Sequence, residues 1–103
     1  MVTKIVNNDM SAAAAAPVAL IDFSAVWCGP CKMVSPVIDS LSEKYAGKIE
    51  FFNADVDENM DLAAKYGIQN IPSLMLLKNG EAVDMKVGFM PEPILAKWID
   101  SQI

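Results

Sequence analysis

The sequence has 103 residues, and neither histidine nor arginine is among them. Without histidine, the chain lacks the commonest general base at neutral pH and the commonest metal ligand. Without arginine, it has no planar fork for clamping phosphate. Thirteen carboxylates outnumber 8 lysines, giving a formal net charge of −5. No basic stripe is available, so nucleic acid is not an expected partner. Cysteine is scarce as well: Cys28 and Cys31 are the only two. Structural zinc takes four ligands, so a zinc or iron–sulfur site would need two chains to complete it. No resident metal or cofactor is expected.

Long apolar runs are also missing. The best candidate, Ala12–Ile21, contains Pro17 and stops at Asp22. It falls far short of the ~20 residues of a membrane span. It follows Asn7-Asn8-Asp9 rather than a basic segment, so it does not read as an export signal. A soluble cytoplasmic protein is expected, with no membrane partner. The hydrophobic share, 53%, is above the usual range and argues against disorder. Residues 1–103 are expected to form one domain with a core large enough to need no staples.

The chain is organised around Ala25-Val26-Trp27-Cys28-Gly29-Pro30-Cys31-Lys32. Val18-Ala19-Leu20-Ile21-Asp22-Phe23, before it, has the length and apolarity of a buried strand. After it, Met33, Val34, Val37, Ile38, Leu41 and Tyr45 recur at helical spacing. Cys28 therefore falls at a helix N-terminus, with Pro30 in the first turn, where a missing N–H matters little. Free N–H groups and the positive end of the helix dipole favour an anion there. A thiolate is such an anion, so the Cys28 thiol is expected to be acidified. Lys32 adds a positive charge one turn on. Cys31, at i+3, shares the helix face and is within reach of a disulfide. The pair can cycle between dithiol and disulfide, Cys28 attacking a partner's disulfide and Cys31 releasing the reduced partner.

The remaining elements follow in order. Thr3-Lys4-Ile5-Val6 is a short strand. Asn8, Asp9 or Ser11 is expected to cap a helix over Ala12–Ala16. The helix after Cys31 should run to about Tyr45 and stop at Gly47. Pro36 lies inside it, either as a tolerated kink or as a bend that aims the cysteines. Ile49–Ala54 is a strand, and Met60–Tyr66 is a short helix closed by Gly67. Leu74–Leu77 is a strand too apolar to face solvent on either side. Asn79-Gly80 is a hairpin signal joining it to Glu81–Val87, where Ala82, Asp84 and Lys86 alternate with Val83, Met85 and Val87. Pro91 and Pro93 open a last helix with Ile94, Leu95, Trp98 and Ile99 on one face. The order β-α-β-α-β-α-β-β-α implies an α/β fold with a mixed sheet and helices on both faces. Met33, Met75 and Met85 fit buried faces. The acidic run Asp55, Asp57, Glu58, Asp61 lacks the glycine and terminal glutamate of a calcium loop and reads as a solvated turn.

Over its whole length the chain resembles the thioredoxin family. The resemblance rests on Asp22-Phe23, Trp27-Cys28-Gly29-Pro30-Cys31-Lys32, Pro36, Tyr66-Gly67-Ile68, Ile71-Pro72-Ser73, Asn79-Gly80 and Gly88, in matching order and spacing. It implies a central five-stranded sheet flanked by four helices, and a monomer. It implies a protein-disulfide reductase re-reduced by a thioredoxin reductase, with Cys28 as nucleophile, Cys31 as resolving thiol and disulfide-containing proteins as substrates. Gly29-Pro30 is similar to the pairing of the reducing branch, so Gly29, Pro30 and Lys32 are expected to tune the pair. Ile71-Pro72 would be a cis bond facing the cysteines. Trp27, Ile71, Pro72, Val87, Gly88 and Phe89 would line a shallow apolar groove for an extended substrate.

Asp22 matches the family's buried carboxyl beneath the second cysteine; the plainer reading is an ordinary strand-end aspartate. Buried, its pKa should rise by desolvation toward a range where it could take the Cys31 proton. Three departures from the family pattern stand out. Ser24 stands where a second tryptophan is usual, Val26 where the residue is often polar, and Asn53 where a lysine is frequent. Without that positive neighbour, the Asp22 pKa is expected to lie higher than in relatives that have it. Rival uses of the cysteines are a structural disulfide, whose short loop gains only ~2 kcal/mol, and a binding module in which redox chemistry is secondary.

Overall fold

Short apolar strands alternating with amphipathic helices favour layers, because each helix buries one stripe and a central strand buries both faces. The computed structural model describes residues 1–103 and is built this way. In chain order the elements are β1 (Val2–Ile5), α1 (Ser11–Ala15), β2 (Val18–Ser24), α2 (Gly29–Lys44), β3 (Glu50–Asp55), α3 (Met60–Lys65), β4 (Ser73–Lys78), β5 (Glu81–Val87) and α4 (Glu92–Gln102). The strands form one five-stranded sheet in the order β1-β3-β2-β4-β5. β3 lies parallel to β1 and β2, β4 antiparallel to β2, and β5 antiparallel to β4. The element order and the mixed sheet are those expected from the sequence. No helix is long and apolar enough to cross a membrane.

The central strand β2 is buried on both faces, and its period of two divides the core. Leu20, with Phe51, Leu74 and Leu76, packs under α2 and α4 against Val34, Ile38, Leu41, Leu95 and Ile99. Ile21 and Phe23, with Phe52, Met75 and Leu77, pack on the other face against Ala13 of α1 and Leu62 of α3. Parity therefore places Asp22 and Ser24 on the α2 side of the sheet. Tyr45 ties the end of α2 to α4, its hydroxyl donating to Asp100 Oδ1 at 2.6 Å.

Some boundaries and faces differ from expectation. The N-cap of α1 is Met10, not Asn8, Asp9 or Ser11, and it makes no side-chain cap bond. Asp9, one of those three, does accept the Ser11 N–H at 3.0 Å, from one residue ahead of the observed N-cap. The helix α2 runs unbroken through Pro36, whose ring is exposed, so its missing N–H frees only the Lys32 carbonyl. Met33 and Ile94 are exposed rather than buried, each at the edge of its helix's apolar stripe. In β5 the alternation fails because the register with β4 shifts between Leu76 and Leu77, and the strand lies at the sheet edge. The hairpin turn is as expected: Asn79 and Gly80 both have positive φ, 51° and 82°.

Asn59 is fully buried and holds three chain segments together. Its Nδ2 donates to the carbonyls of Ile5 at 2.9 Å and Asp55 at 3.0 Å, and its Oδ1 accepts from Asn8 N. Asn8 Oδ1 in turn accepts the Leu62 N–H at 3.0 Å. Replacing Asn59 by alanine strands these buried groups. The expected loss is about 2–4 kcal/mol, read as a lower urea midpoint at unchanged m-value.

Candidate active site

The β2 strand delivers the chain to the end of the sheet, and Ala25–Cys28 turn it into α2. Cys28 is the N-cap of this 16-residue helix, in extended conformation, with Pro30 in the first turn. Its Sγ accepts the Cys31 backbone N–H at 3.2 Å. A sulfur thus occupies the place where a Ser or Asp oxygen usually satisfies an open N–H. Cys28 and Cys31 are joined as a disulfide, with Cα atoms 5.3 Å apart. Both are nearly buried, at 6% and 4% exposure, in a small cluster with Ala25, Val56 and Ile71. Gly29, Pro30 and Lys32 are exposed around them.

The expected groove residues come together beside Cys28. Ile71-Pro72 is a cis peptide, and the Ile71 carbonyl lies 3.9 Å from Cys28 Sγ. Gly88 N–H donates to the Pro72 carbonyl at 2.8 Å, which brings Val87, Gly88 and Phe89 alongside. The Ile71 N–H enters no backbone hydrogen bond. Trp27, Val87 and Phe89 are exposed at 68%, 56% and 40%, so these segments present apolar side chains to solvent. Asp57, exposed in the acidic turn, accepts the Trp27 indole N–H through its Oδ2 at 2.9 Å. The 30-residue separation left no local signal for that contact.

Asp22 is 3% exposed on the face covered by α2. Its register partners are Asn53 on β3 and Leu74 on β4. Asn53 Nδ2 reaches Asp22 Oδ2 at 3.3 Å, the Asp22 carbonyl at 3.2 Å and Ser24 Oγ at 2.9 Å. Asp22 Oδ1 makes no hydrogen bond within the protein. Burial pushes the Asp22 carboxyl up to about 6; the Asn53 hydrogen bond pulls the other way and the Asp39 charge adds to the rise. The elevation expected of a buried carboxyl is present.

A nearly buried CxxC disulfide at a helix N-terminus, beside a cis Ile71-Pro72 peptide, is a centre for dithiol–disulfide exchange. Comparison with known proteins agrees. The Thioredoxin family model matches residues 2–101. A thioredoxin of Staphylococcus epidermidis is 43% identical over 102 residues, covering 99% of this chain and 98% of that protein. One of Staphylococcus aureus is 42% identical at the same coverage. The chain belongs to the thioredoxin family, and its Cys28–Cys31 pair is the redox-active couple of a protein-disulfide oxidoreductase.

Because the folded pKa of Asp22 is raised, native protein binds this proton more tightly than unfolded chain. The stability the group contributes is full below about pH 4 and is lost as pH rises through about 6. The ionised group costs about 3 kcal/mol at pH 7.5. Asp22→Asn is expected to raise the urea midpoint of the disulfide form at pH 7.5, with the gain shrinking toward pH 4. A gain independent of pH would refute the assignment.

Proposed function

We propose that the protein, acting as one domain, reduces disulfides in other cytoplasmic proteins as a monomer and is itself re-reduced by a thioredoxin reductase. Cys28 is the attacking thiolate, Cys31 the resolving thiol and Asp22 the acceptor of the Cys31 proton. The observation that carries this reading is the sulfur at the N-cap: Cys28 Sγ accepts the Cys31 N–H where the helix dipole is positive. A thiol gains little from that place and a thiolate gains much, so the site favours the nucleophilic form.

The Cys28 thiolate attacks one sulfur of the substrate disulfide and expels the other as a thiolate. Cys31 gives its proton to Asp22, and its sulfur attacks Cys28 Sγ. The intermolecular S–S bond breaks, the second substrate thiolate leaves, and two electrons have passed to the substrate. The product is the Cys28–Cys31 disulfide of this structure. Trp27, Ile71, Pro72, Val87, Gly88 and Phe89 receive the substrate, and the unpaired Ile71 amide offers an extended segment a strand-like partner. Gly29, Pro30 and Lys32 set the acidity and potential of the pair.

Three measurements test the reading. Cys31→Ser should accumulate a mixed disulfide with a protein substrate, visible on non-reducing gels, while Cys28→Ser forms none and loses turnover entirely. Equilibration with a dithiothreitol redox buffer should give a reduction potential below that of the glutathione pool. A potential above it would identify an oxidant or isomerase. Function retained in the double Cys→Ser variant would identify a scaffold.

A further inference from the structure

An open cavity of about 340 Å³ is lined by residues of β1, β2, α2 and β3 and of the turns beside them. Asp22, Ser24, Asn53 and Cys31 line its inner part, and Lys4, Lys32, Ser35, Asp39 and Glu58, all exposed, stand around it. None of Trp27, Ile71, Pro72, Val87, Gly88 and Phe89 lines it. Its volume admits several waters at roughly 30 Å³ each. The resolving cysteine and the buried carboxyl therefore share a route to solvent that a docked substrate does not cover.

We infer that Asn53 is a positioning residue for the resolving step: its amide holds one oxygen of Asp22, leaves the other for the Cys31 proton, and the shared cavity returns that proton to solvent. This rests on Asp22 acting as the proton acceptor in the proposed reaction. The direct register pairing of Asp22 with Asn53 sets their side chains next to each other on one face. Ser24 Oγ, two residues on and therefore on the same face, accepts the shortest of the Asn53 bonds, 2.9 Å, and fixes the amide. Oδ2 is committed to Asn53 and Oδ1 is not committed to anything.

An amide does this differently from a cation. It orients the carboxyl but supplies no net charge to hold it ionised, so desolvation prevails and the group stays near the neutral range. The charges around it are mixed. Lys32 and Asp39 come from α2, Lys4 from β1, and Asp55 and Glu58 from β3 and the turn after it; the facing residue of β4 is the apolar Leu74. In the step itself, the Cys31 S–H bond breaks and its proton goes to Asp22. The sulfur's electron pair forms the bond to Cys28, and the substrate thiolate carries away the pair from the broken S–S bond. Asp22 then passes the proton to water in the cavity.

The test uses stopped-flow reaction of the reduced protein with 5,5′-dithiobis(2-nitrobenzoate). The first thionitrobenzoate released reports attack by Cys28 and the second reports resolution by Cys31. The pH midpoint of the second release is compared with the Asp22 carboxyl midpoint from ¹³C NMR. Asn53→Leu removes the hydrogen bond and should move both midpoints up by about half a pH unit, threefold in proton affinity. Asn53→Lys should move both down by at least as much. Ser24→Ala, which keeps Asn53 and spares the packing, should give a smaller upward shift. Midpoints unmoved in all three variants would overturn the inference. Asp22→Asn separates the two levels. If its second release keeps the parental midpoint, Asp22 is not the proton acceptor and both readings fall. If that midpoint vanishes while the Asn53 and Ser24 variants match the parent, only the positioning role falls.

Discussion

The first open N–H groups of α2 must find an acceptor, and the chain offers one of them a sulfur. Much of the molecule serves to hold that contact in place. At 3.2 Å from the Cys31 N–H, Cys28 Sγ fills the position where an oxygen cap is usual. Neutral sulfur is a weak acceptor, whereas a thiolate is a full anion at the positive end of a 16-residue helix. The cap is therefore stronger in the reduced, ionised protein than in the disulfide form. Such a difference favours the nucleophilic thiolate only as far as the helix stays put. Its rigidity comes from β2, which is hydrogen-bonded on both sides and buried on both faces.

That same strand carries a costly residue, a buried carboxyl with one unpaired oxygen. Burying the Asp22 carboxyl opposes folding at neutral pH by about 3 kcal/mol, against the 5–15 kcal/mol of net stability usual for a domain. A Leu at this register would pack under α2 as Leu20 does. Half of the carboxyl is satisfied by Asn53, and half is not satisfied at all. Local violations of good packing concentrate where chemistry is done. The compensation is spread over two apolar layers that do not involve the cysteines.

The parts of the fold legible in the sequence were those governed by short-range rules. The strand-to-helix switch at Cys28, the Asn79-Gly80 turn and the apolar Leu74–Leu77 run of β4 follow from propensity, period and dihedral preference, and each stands where it was expected. What failed depended on the third dimension. Met33 and Ile94 lie at the margin of an apolar stripe, where the width of the covering layer, not the spacing, decides exposure. The alternation in β5 could not show the register shift beside Leu76, because a bulge is a property of two strands. At the site, Asp22 was visible as a carboxyl in an apolar strand, and Asn53 as its neighbour through the family resemblance. The Ser24–Asn53 bond and the Trp27–Asp57 bond were not visible, since each joins residues 29 or 30 apart that meet only once β2 and β3 pair.

In the proposed reaction the groove has little to work with. It exposes a few apolar side chains and one unpaired backbone amide at Ile71, and no arginine or histidine exists to add a specific polar contact. Main-chain pairing reads the extended shape of a segment and not its side chains. In the proposed function such a surface would bind many partners weakly, which suits a reductant of general scope. Selectivity then falls to the covalent step, because only a disulfide that reaches Cys28 can be held. The mixed disulfide does the holding that the groove does not. In the proposed reaction release follows from Cys31, and the proposed roles of Asp22 and Asn53 then make the acidity of one buried carboxyl the control on how long each partner stays attached.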